Sequence, residues 1–169
     1  TGHRDIPSGA YQHIFNKTEE TVESLIKKGY LYFGAGGALG FDTIAAFTVL
    51  KLKERYPDIR FVFDTKMAAF HGQLELLYQK EYEWLWKNGH ICHYHIGDYG
   101  SFPMDWSNLK SLPIGMGNID FDSFGAFLRR SSYDGFLTLE GSSFDNNGDV
   151  DITLMNTCFE IIRGWDKHS

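Results

Sequence analysis

The feature that most constrains this chain is a regular alternation of short β-prone runs with longer segments of helical period. Tyr30–Phe33, Ile59–Asp64, His90–Ile96 and Gly135–Glu140 are brief runs with aromatic or β-branched residues, bounded by Gly, Pro, Asn or Asp. Such runs read as strands. Between them, apolar residues recur every three or four positions, the period of a helix. Ser8–Lys28 opens after Pro7, carries Ile14, Val22 and Ile26, and stops at Gly29. Phe41–Tyr56 stops at Pro57. Gly72–Lys87 carries Leu74, Leu77, Tyr78 and Leu85 and closes at Asn88-Gly89. Asp120–Arg130 and Val150–Gly164 complete the helices, and Gly97–Ile119 reads as a long loop. Gly125 sits inside a helix at a cost of about 1 kcal/mol relative to alanine.

Strand–helix alternation implies an α/β fold with a parallel sheet of βα units and right-handed crossovers. Two architectures satisfy it. One is an open Rossmann- or flavodoxin-like sheet with helices on both faces. The other is a half-barrel that pairs with a second copy, because four strands cannot close an eight-stranded barrel alone. The open sheet is the expected form, in one compact domain, and its unpaired edges favour a homodimer. In both, ligand sites belong at the C-terminal ends of the strands. Thr1–Arg4 reads as a loop with no strand before it, so the expectation is that a first strand is trimmed away or that the fold does without one.

A formal charge of −6 and the absence of any Lys/Arg run argue against nucleic acid or an anionic membrane as partner. No apolar run of ~20 residues is present to span a bilayer, and no signal peptide opens the chain. Cys92 and Cys158 read as buried free thiols, which suits a reducing cytoplasm.

Gly34-Ala35-Gly36-Gly37-Ala38-Leu39-Gly40 joins a strand to a helix. Backbone N–H groups in such a turn can cradle an anion at a helix N-terminus. The plainer account is a tight turn packed on its neighbours, and the spacing matches neither a P-loop nor a dinucleotide fingerprint. Thr1-Gly2-His3-Arg4 together with Gly36-Gly37-Ala38-Leu39-Gly40-Phe41-Asp42 resembles the YpsA-like branch of the SLOG superfamily, over about residues 1–60. Those are Rossmann-like proteins associated with nucleotide-derived ligands. The resemblance implies a nucleotide pocket lined by Thr1, Gly2, Arg4, Gly36, Gly37 and Asp42.

Three strands end near residues able to ligate a metal: Asp64, His95 and Glu140. Strand side chains alternate between faces, so Val62 goes with Asp64, His93 with His95 and Thr138 with Glu140. If those faces agree, two carboxylates and an imidazole converge, a set suited to Mn²⁺, Mg²⁺, Zn²⁺ or Fe²⁺. The competing account has Asp64 and Glu140 capping helices or pairing with Lys66 and Arg129. His93 reads as a partly buried histidine inside the sheet, with a ligand role as the alternative. Asp98 is placed to orient His95 or bind substrate. Tyr99, Phe102 and Trp106 either close over a sugar or, on the plainer account, pack the long loop down.

The series Phe63-Asp64-Thr65, His93-Tyr94-His95-Ile96-Gly97-Asp98, Leu112–Phe121 and Tyr133–Glu140 resembles the C-terminal half of the xylose-isomerase-like TIM barrel superfamily, over residues 61–169. That group includes sugar isomerases, sugar epimerases and endonuclease IV-type repair enzymes. The resemblance implies that Asp64, His95 and Glu140 are divalent-metal ligands. It also implies that Glu140 is one of two acid–base residues acting beside a carbonyl. Two departures stand out. The further glutamate that these barrels use would lie in the other half of the barrel. Met67 occupies the position where many members carry histidine, and His71 is not an obvious substitute.

The two resemblances meet near Asp58–Phe61. The expectation is therefore a chimeric or fragment scaffold, more in keeping with engineering than natural shuffling. It would lack a completed natural activity and retain a metal site. The alternatives are a metal-dependent sugar or sugar-phosphate isomerase or epimerase, and a nucleotide-binding module.

Overall fold

The structure, a computed structural model, describes residues 5–141 and 143–165. Helix α1 (Ser8–Lys27) leads into strand β1 (Tyr32–Ala35), then α2 (Phe41–Lys53), β2 (Arg60–Asp64) and a short α3 (Thr65–Phe70). Two 3₁₀ turns, Leu74–Tyr78 and Lys80–Tyr82, precede α4 (Glu83–Lys87) and β3 (Ile91–Ile96). Two short strands follow, β4 (Asp98–Gly100) and β5 (Lys110–Leu112), then α5 (Phe121–Ser131), β6 (Phe136–Leu139) and α6 (Ile152–Arg163).

Strands β1, β2, β3 and β6 hydrogen-bond in that order, all parallel, and the sheet is open. Strands β4 and β5 form a separate antiparallel pair within the long loop. The expected open sheet of βα units is therefore present. Each crossover moves one strand further in the same direction, with no reversal. Crossovers of one hand taken in one direction leave their helices on one face, and burial agrees. Phe33 and Ala35, Phe61 and Phe63, Tyr94 and Ile96, Leu137 and Leu139 point into one hydrophobic cluster. Val22 of α1, Leu52 of α2, Phe124 of α5 and Cys158 of α6 join that same cluster. It spans both sides of Asp58–Phe61 without a break.

The opposite face carries Tyr32, Gly34, Val62, His93, His95, Phe136 and Thr138. Tyr32 is 66% exposed and Phe136 76%. The expected second layer of helices is not found there among the described residues. A register shift opposite Phe61 and Val62 sets the phase of β3. Phe61 aligns with Ile91 and Val62 with His93, so Cys92 is an extra residue. Such a bulge lets Ile91 stay buried while His93 and His95 turn to the open face.

Differences from the sequence reading have local causes. The segment 72–87 is not one helix, because Gly72 takes φ +67 and Gln79 is extended at ψ 149. The indole of Trp86 donates to the Leu77 carbonyl at 3.1 Å and pins the broken segment. Gly125 is explained by Trp165, whose ring would lie 2.4 Å from an added Cβ. That ring stacks on Phe121 with centroids 5.6 Å apart. Cys158 is buried as expected, whereas Cys92 is only half-buried; both are free. No helix among the described residues is long and apolar enough to cross a membrane.

Candidate metal centre

Asp64 is the last residue of β2 and the N-cap of α3. Its Oδ1 accepts the Met67 N–H at 2.9 Å. A carboxylate capping through one oxygen has a second to offer. His95 lies beside Asp64 in the β2–β3 register. Thr138 lies beside His95, and Glu140 follows two residues later on the same side. The Glu140 N–H extends the ladder to the Ile96 carbonyl at 2.8 Å. One ligand atom from each of Asp64, His95 and Glu140 lies within 4.8 Å of the other two. His95 Nδ1 and Glu140 Oε1 are 4.0 Å apart. Metal–ligand bonds of about 2.0–2.2 Å place donors on a common ion roughly 3–4.4 Å apart; the His95–Glu140 pair lies in that range, and a closure of a few tenths of an ångström would bring the whole group, bounded at 4.8 Å, onto one divalent cation.

Two neighbours hold this geometry. The buried Thr65 hydroxyl lies 3.1 Å from the His95 carbonyl and 3.3 Å from that of Gly97, and it accepts the Gly97 N–H. It thereby ties the tip of β2 to the tip of β3. Gly97 leaves room for Glu140, since a Cβ there would meet Oε2 at 2.6 Å. Both lie in the series that carries the second resemblance, but the sequence assigned neither of them a role. Thr65 follows a strand-ending aspartate, but nothing nearby marks it as a tie between strands. The need for glycine at 97 depends on a side chain 43 positions later.

The competing account of the carboxylates is also partly realised. Asp64 does cap a helix, and Glu140 does pair with Lys66 through Oε2. Arg129 instead reaches the Gly164 carbonyl. Burial raises the Asp64 carboxyl to about 6, and the Glu140 charge adds to it. The Met67 N–H, Lys66 and His95 pull the other way. Two acids crowded beside an imidazole in a half-buried cleft are the arrangement a cation relieves. Burial, and then the neighbouring His95, lower the His93 imidazole. Its Nε2 lies 2.6 Å from Thr138 Oγ1, so His93 is a hydrogen-bonded histidine of the open face.

Asp98 does not orient His95. It is 1% exposed, and its two oxygens accept the N–H groups of Tyr99, Gly115, Gly117 and Ile119 at 2.8–3.1 Å. It organises the loop and has turned away from the cluster. Tyr99 and Trp106 pack edge-on against Phe70, at 5.4 and 4.6 Å, so they hold the loop down as expected. Phe102 stays 81% exposed. His71 is buried between Phe70 and Trp106 and takes no part in the ligand cluster.

The glycine-rich turn follows the plainer account. A Cβ on Gly36 would meet Met67 at 3.1 Å, and one on Gly37 would meet Ala68 at 2.9 Å. Gly37 also takes φ +70. Asp42 turns inward to accept the Ala38 N–H at 3.0 Å. Thr1, Gly2 and Arg4, the other residues assigned to a nucleotide pocket, lie outside the described residues. No protein-family model and no curated protein matches this chain.

Proposed function

We propose that this chain is an α/β scaffold that holds a divalent ion, Mn²⁺, Zn²⁺ or Mg²⁺, through Asp64, His95 and Glu140. The observation that carries this reading is the convergence of three strand ends, with one donor atom each within 4.8 Å. A bound ion of this kind polarises carbonyl and hydroxyl oxygens. Asp64, His95 and Glu140 would hold such an ion at the C-terminal rim of the sheet. The described residues bring no fourth His, Cys, Asp or Glu into the group. We therefore read the chain, with its two family resemblances, as a chimeric or fragment scaffold that does not complete a natural reaction by itself. Calorimetry on metal-stripped protein tests it. Saturable Mn²⁺ or Zn²⁺ binding, lost in Glu140→Ala, is expected, and no binding by the unaltered chain rejects the metal site.

A second reading is a metal-dependent sugar or sugar-phosphate isomerase or epimerase, with Glu140 also carrying the proton. It draws support from the cluster's position at an open rim, where His95 is 41% exposed and a substrate can approach. Turnover of a ketose by the unaltered chain and not by Glu140→Ala would establish it. The nucleotide reading of Gly36, Gly37 and Asp42 rests on the first resemblance, and a flat titration with adenine nucleotides removes it. The open face and the edges of β1 and β6, unpaired among the described residues, support self-association, since parallel sheets are ordinarily covered on both sides. Light scattering that finds only monomer at high concentration rejects the dimer.

A further inference from the structure

Lys66 touches the ligand cluster without belonging to it. It sits in the first turn of α3, where the helix dipole disfavours a cation. What holds it is Glu140, whose Oε2 takes the ammonium, and Ser111 of β5, whose Oγ lies 3.2 Å from Nζ. The pair is well enclosed, with Lys66 16% and Glu140 28% exposed at the side chain. The other Glu140 oxygen faces His95 Nδ1 at 4.0 Å. One carboxylate therefore stands between a lysine and the place where an ion would sit. A monovalent and a divalent cation that share one enclosed carboxylate repel each other strongly.

We propose that Lys66 is a built-in counter-cation that competes with the metal for Glu140. In the metal-free chain its ammonium satisfies Glu140 and offsets the crowding with Asp64. Loading the ion turns Glu140 towards Asp64 and His95 and leaves Lys66 resting on Ser111. The β4–β5 pair thereby becomes the seat of the displaced lysine, which couples the long loop to metal occupancy. This inference rests on the metal reading above.

The test compares the unaltered chain with Lys66→Met and Lys66→Gln by Mn²⁺ calorimetry and by thermal unfolding of the metal-free proteins. Lys66→Gln keeps a hydrogen-bonding side chain and serves if Lys66→Met does not fold. Competition predicts that both neutral variants bind Mn²⁺ at least tenfold more tightly while their metal-free forms unfold at lower temperature. A lysine with a merely structural role would lower both quantities together. Binding confined to the neutral variants also supports the proposal, as a lysine that blocks the site. Equal or weaker binding by the variants, with binding by the unaltered chain, overturns the role of Lys66 and leaves the metal site standing. Binding by none of the three overturns the metal reading and this inference with it.

Discussion

The two faces of the four-stranded sheet are made by the same strands, yet they carry different kinds of residue. The covered face is aromatic and aliphatic, with Tyr94 and Ile96 fully buried. The open face presents His93, His95, Thr138 and Val62 between the exposed aromatics Tyr32 and Phe136. Alternation alone separates the two sets, and the bulge at Cys92 keeps them in phase along β3. The comparison teaches that core packing falls to one side of the sheet, while the other side gathers the polar groups and the exposed aromatics. A substitution should therefore be felt as loss of folding on one side and as changed binding or association on the other.

The sharpest way to break this comparison is Phe124→Ala. Phe124 is fully buried against Tyr94 and Trp165, so its loss should lower unfolding free energy by about 3–5 kcal/mol in urea titrations. A loss below about 1 kcal/mol would deny the covered face its role. Next comes Gly125→Ala. Alanine favours a helix, but its methyl would collide with Trp165, so a net loss of about 1–3 kcal/mol is expected. A gain in stability would show that Trp165 moves freely. The third effect depends on pH. Asp64 binds its proton more tightly folded, near pH 6, than at its ordinary 3.8. The folded state therefore holds more protons between those values, and stability falls as pH rises from about 4 to 6. Asp64→Asn, which can still cap α3, should flatten that slope in pH-dependent unfolding, and metal affinity in the parent should weaken below pH 6. The smallest effect on stability belongs to Phe136→Lys on the open face. It should change unfolding by no more than about 0.5 kcal/mol while shifting any dimer to monomer in light scattering.

The sheet strands and the parallel order were legible because they depend on local period and on short connections. That Asp64, His95 and Glu140 would come together was legible for the same reason, since each lies at the end of a readable strand. What escaped depends on contacts between distant residues. The sidedness of the helices follows from the absence of any reversal in strand order, which no single segment encodes. The broken segment after Gly72 has helical spacing, and it fails as a helix through the backbone at Gly72 and Gln79. Asp98 follows His95 so closely that its sequence position suggests partnership with it. Its partners are instead the amide of the next residue, Tyr99, and three backbone amides 17 to 21 residues later.

That arrangement at Asp98 has a consequence for how the loop exchanges with solvent. The amides of Tyr99, Gly115, Gly117 and Ile119 all terminate on one enclosed carboxylate. None can be released to water without weakening the set, so they should lose protection in hydrogen exchange as a single step. The segment from Gly97 to Ile119, which reads as loop, would then open with the cooperativity of a small folding unit.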